Sequence, residues 1–154
     1  MTANIKEQDI INRLATDFAT IDGIKTTYGF AQIPDTLTNA QLPAVVFFPD
    51  AFESDLYAHH NFHKNVIGIT AIVFVATRQT SGGSIKFLEN RTMPFLGKIR
   101  TKFQTESVIK ALLALGLVKA YTFSGNYGAG GTLLTFSGIE YIGVIVKFSF
   151  TEIT

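Results

Sequence analysis

Asp55, His59, His60 and His63 are the one group in this sequence with the composition of a metal site. Histidines at i and i+4 share a helix face, and a carboxylate could complete a zinc shell. The segment that holds them, DAFESDLYAHHNFHK (residues 50–64), has no sustained helical period and no H-E-x-x-H base pattern. The plainer reading is three polar residues in a solvated loop. The glycine-rich stretch Gly125–Gly131 looks like a phosphate cradle, but a P-loop needs Lys-Ser/Thr entering a helix. Here Thr132-Leu133-Leu134 enters a strand pattern, which makes the stretch a hairpin tip with Tyr127 as a contact residue. The cations Lys86, Arg91, Lys98, Arg100, Lys102 and Lys110 could face solvent, a neighbouring subunit or phosphates. Their companions Phe87, Phe95 and Phe103 fall at core positions, not between charges as stacking platforms. There is no G-x-S-x-G elbow. The carboxylate pairs Asp17/Asp22 and Glu53/Asp55 sit in polar sequence, with nothing to drive their pKa values apart. These residues do not compose an active site, and neither catalysis nor a cofactor is expected.

The elements that would position them follow from period and punctuation. Asn4-Ile5-Lys6-Glu7 has capping-box spacing, and Ile10, Ile11, Leu14, Phe18 and Ile21 recur on one helical face, with Asp17 assigned to the opposite face. The spacing predicts a helix over 5–22 with Gly23 as its left-handed terminator. Ile24–Phe30 alternates as a strand, and residues 34–39 are loop chemistry. Leu42–Phe48 is a short strand bounded by Pro43 and Pro49. Residues 50–64 read as a loop or extended hairpin projecting from the body. Phe52, Leu56 and Tyr57 there suit burial against a neighbouring subunit. Leu88, Thr92, Phe95, Ile99 and Phe103 mark a second helix, kinked at Pro94 or starting near Thr92. A short helix over 106–115, strands over 117–124 and 133–137, and an alternating strand over 138–153 complete the order. This order predicts a single α+β domain, a mostly antiparallel sheet packed against the N-terminal and central helices.

Asn65–Arg78 is the chain's most apolar strand. Both of its faces are apolar, which predicts cover on both sides. It also divides the charge. Residues 1–64 carry a net of −4 and residues 78–119 a net of +6, within a total of +1. Charged residues make up only 16% of the 154, and mean hydropathy is +0.26, so the solvated surface is sparse for a soluble domain. No charge-free stretch is long and apolar enough to span a bilayer, and the N-terminus lacks the apolar core of a secretory signal. Coverage by partners then explains the sparse charge, and an assembly subunit is the expectation. With no cysteine, disulfides and thiolate metal sites are excluded.

Taken together, the N-terminal amphipathic helix, the proline-bounded Leu42-Pro43-Ala44-Val45-Val46-Phe47-Phe48-Pro49, the loop into a long strand and the following helix form a recognisable series. It ends in Phe136-Ser137-Gly138-Ile139-Glu140-Tyr141-Ile142-Gly143-Val144, whose Y-x-G-V runs into the last strand. The series resembles the tail terminator (tail completion, head–tail joining) proteins of long-tailed phages. The resemblance implies a ring, commonly six-fold, at the head-proximal end of the tail tube. Such a ring ends tube polymerisation and docks the head connector, with DNA only as passing cargo in its lumen and no membrane involved. It implies a virion protein assembled in the bacterial host cytoplasm. The likeness extends to the neighbouring head–tail connector (neck) proteins. The rival from another class is a small metal-dependent enzyme using the His59/His60/His63 loop. For a ring, the expected interface residues are Phe52, Leu56, Tyr57, His59, His60, Arg91, Lys98, Arg100, Lys102 and Tyr127.

Overall fold

A computed structural model describes residues 7–57, 62–77, 85–105, 120–126 and 134–153. Within them lie α1 (Glu7–Ala19), β1 (Thr26–Tyr28), a 3-10 turn (Asn39–Gln41), β2 (Ala44–Tyr57), β3 (Phe62–Thr77), α2 (Ile85–Thr105), β4 (Ala120–Asn126), β5 (Leu134–Phe136) and β6 (Ile139–Ile153). The strands form one mixed sheet in the order β1-β2-β3-β6-β4, and every pairing but the parallel β1–β2 is antiparallel. Tyr141 pairs with Thr77 of β3 and with Leu134 of β5, so β5 lies end to end with β4 along one edge of β6. The architecture is the α+β fold that the order of elements predicts.

Both helices cover one face of this sheet. The α1 stripe Ile10, Ile11, Leu14, Phe18 and Ile21 and the α2 stripe Phe95, Ile99 and Phe103 meet Val45, Phe47, Ile69, Val73, Val144, Val146 and Phe148. Phe18 sits at the junction, with ring centroids 5.4 Å from Phe47, 5.2 Å from Phe103 and 6.2 Å from Phe148. Among the described residues, the opposite face is covered only at one end. There the 3-10 turn lays Leu37 and Leu42 over Ala44, Val46, Phe74 and Tyr141. The Tyr141 ring meets Phe74 edge-on at 5.1 Å, and its hydroxyl donates to the Leu37 carbonyl at 3.4 Å. Tyr28 packs on the same cluster, and its buried hydroxyl has no hydrogen-bond partner among the described residues.

Several expectations change. β2 does not stop at Pro49 but continues to Tyr57, pairing Phe52–Tyr57 with Ile67–Phe62 after a bulge between Pro49 and Phe52. Proline is tolerated at a bulge or on a strand edge without a ladder partner, and among the described residues Pro49 has both, because β1 pairs only with Ala44–Val46. Residues 50–57 and 62–64 therefore belong to the two arms of a β-hairpin. β1 is three residues long, since the chain turns sharply at Gly29–Gln32. α1 ends at Ala19, and the left-handed Gly23 (φ 95°) serves the turn after it. Asp17, expected on the polar side of α1, is fully buried, so the Asp17/Asp22 pair does not share polar surroundings. α2 runs unbroken through Pro94, which points to solvent, and does not begin at Thr92. β3 is sealed on its helix face by Ile67, Ile69, Ala71 and Val73, but Val66, Gly68 and Thr70 on the other face are half-buried. Its expected two-sided cover extends only from Ile72 and Phe74 onward. The helix expected over 106–115, Asn4, Leu117–Lys119 and most of the glycine-rich stretch lie outside the described residues.

Candidate functional site

The two lateral margins of the sheet differ in chemistry. On the β2 margin, Phe52 follows the bulge and is 71% exposed, the most exposed of the large apolar side chains described. Asp50 and Glu53 beside it are exposed, and Asp50 Oδ2 accepts a bond from Thr70 Oγ1 at 3.4 Å. A little further along this margin the Gly29–Gln32 turn carries Phe30 (47% exposed), with Ile33 (45%) just after it. That turn is held rigidly. Phe30 N donates to Asn12 Oδ1 and Gly29 N to Gln32 Oε1, each at 3.0 Å, while Ala31 takes φ 61°. A Cβ at Gly29 would come within 2.6 Å of Asn12 Oδ1, which explains the glycine.

On the opposite margin α2 lies beside β4. Leu96, Ile99, Phe123 and Val146 floor a crevice of about 510 Å³, with Arg100 and Gln104 on the helix side and Thr122 and Ser124 on the strand side. Lys98, Arg100 and Lys102 point in different directions from α2. Arg100 is exposed at the crevice, whereas Lys98 lies on the other flank, its Nζ 3.0 Å from the Asp22 carbonyl and 5.4 Å above the Phe95 ring. Lys98 thus tethers α2 to the end of α1. Its ion pair with the exposed Asp22, at 3.9 Å, contributes roughly 0–1 kcal/mol. Lys102 is half-buried. Between the margins, on the face without helices, Val66, Gly68, Thr122, Ser124, Lys147 and Ser149 line a shallow trough of about 400 Å³ reaching Asp50, Phe52 and Glu53.

Leu56 and Tyr57 lie in β2 opposite His63 and Phe62, and Arg91 lies in α2, but these positions are described by backbone only. His59, His60 and Tyr127 lie outside the described residues, so the histidine cluster is not assembled within them. Among the described residues, no group of three His, Asp or Glu is placed to hold a metal ion. Sequence reasoning missed Phe30, Ile33 and the crevice residues Leu96, Gln104 and Phe123. Two apolar residues between a short strand and Pro34 were the available signal for the first pair. The crevice has none, because it exists only where α2 and β4 meet.

The Tyr-x-Gly-Val motif has a structural role. Tyr141 plugs the second core cluster, and a Cβ on Gly143 would collide with the Val73 carbonyl beside the β3 bulge between Phe74 and Ala76. Ser137 (φ 52°) and Gly138 (φ 80°) form the two-residue turn between β5 and β6, a primed turn of the kind that matches strand twist. No family model matches the chain, and no characterised protein matches it in sequence at a significant level. No described helix is long and apolar enough to cross a membrane.

Proposed function

We propose that this chain is a structural, non-enzymatic virion subunit. It forms a ring, six-fold in the simplest case, at the head-proximal end of a phage tail tube, ends tube polymerisation and joins the tail to the head connector. Its partners are further copies of itself, the tube protein and the connector, with DNA passing through the lumen. Assembly takes place in the bacterial host cytoplasm. The order of elements supports this reading through its resemblance to tail terminators. The observation that carries it is the unlike pair of margins on one sheet: exposed Phe52 with Asp50 and Glu53 at β2, and the Arg100-bearing apolar crevice at β4. A ring is closed by one heterologous contact repeated around an axis, which requires two different, complementary surfaces on each subunit.

Negative-stain imaging and light scattering of the purified protein, alone and mixed with tube protein, provide the test. Closed rings of uniform diameter, or capping of tube ends, are the expected result. Monomers that neither close nor cap overturn it. Stoichiometric zinc in the purified protein would instead favour the metal-dependent alternative at His59, His60 and His63.

A further inference from the structure

We infer that Phe52 of one copy seats in the α2–β4 crevice of the next, with Glu53 facing Arg100 across the contact. The inference rests on the ring reading for the identity of the partner, a second copy of this chain. Phe52 lies on β2 and the crevice lies at β4, with β3 and β6 between them, and Phe52 is largely exposed and not seated in it. The arrangement is therefore head-to-tail, the geometry that generates rings. The fit is chemical as well as topological. Phe52 is 71% exposed, with Glu53 next to it along the same strand, and the crevice joins an apolar floor of Leu96, Ile99 and Phe123 to a cation at its edge. A cavity of about 510 Å³ is ample for a benzyl group with part of its flanking strand. An exposed aromatic anchor entering a pocket, flanked by complementary charge, is the usual make-up of an interface hot spot.

The absence of cysteine makes a direct test available. Glu53→Cys protein is mixed with Arg100→Cys protein and oxidised. The expected product is a disulfide-linked heterodimer that neither variant forms alone. In parallel, Phe52→Ser weakens self-association by roughly tenfold or more, with an unchanged circular-dichroism melt because the side chain is largely solvated. Glu53→Arg and Arg100→Glu each weaken assembly, and the double variant restores it. If the wild type assembles, Phe52→Ser assembles equally well and no heterodimer forms, this contact is overturned while the ring stands. A wild type that is monomeric at its highest soluble concentration, with and without tube protein, overturns both.

Discussion

At the scale of single residues, the positions that look most diagnostic in the sequence are explained by packing. Gly143 faces the Val73 carbonyl so closely that a methyl group cannot be added without moving β3 or β6. Gly143→Ala is expected to destabilise by about 2–4 kcal/mol, measured by denaturant titration, because overpacking meets backbone and not a mobile side chain. Among the described residues, Tyr141 carries the pH dependence that burial predicts. Burial raises its phenol above the ordinary value of 10.0 by desolvation. The unfolded chain therefore ionises first as pH rises, so the stability is complete below about 10 and is lost as pH climbs through the folded value. In Tyr141→Phe, this alkaline component should disappear from stability measured between pH 9 and 12. The cost at neutral pH should be about 1 kcal/mol or less, as suits a long 3.4 Å bond. The Tyr-x-Gly-Val string was legible as a pattern, but its meaning depended on a core that only the structure displays.

At the scale of elements, legibility followed periodicity. α1 was readable because Ile10, Leu14 and Phe18 recur at helical spacing, and β6 because Ile142 to Phe150 alternate. β2 was not readable past Phe48, since Pro49 and the acidic, histidine-bearing run imitate a loop. The pairing with β3, and a β2 edge without a ladder partner among the described residues, override that local signal. Pro94 lies inside one helix, Ile85–Thr105, so of its two readings the start near Thr92 is the one that fails. Phe18 sits where both helices meet the sheet. Phe18→Ala should lower unfolding free energy by about 3–5 kcal/mol, and loss of near-ultraviolet dichroism should coincide with loss of helix signal.

At the scale of the whole molecule, the charge asymmetry seen along the sequence is only partly an asymmetry in space. Lys98 is held at the surface by Asp22, Arg100 is the cation at the crevice among the described residues, and Asp50 and Glu53 are exposed on the far margin. Among the candidates drawn from sequence, Phe52 and Arg100 stand at opposite margins of one sheet. The crevice was invisible, because it depends on segments distant in the chain meeting, whereas the Phe30 turn left only the weak signal of two apolar residues before Pro34. Charge-complementary assembly should weaken as salt screens it, so ring stability measured by light scattering is expected to fall between low salt and about 1 M.

The pairing of β3 with β6 has a consequence for how the molecule is made. Val73 finds its partner in Val144, and the intervening chain must be synthesised before that ladder can close. On the ribosome the β2–β3 hairpin emerges first, with the most apolar strand of the chain unpaired along one edge until residues 139–153 arrive. Contacts of such long sequence separation fold slowly and leave a sticky template exposed in the interval. Slower translation or added chaperone is therefore expected to raise the soluble fraction of recombinant protein, measured against the same chain expressed without either.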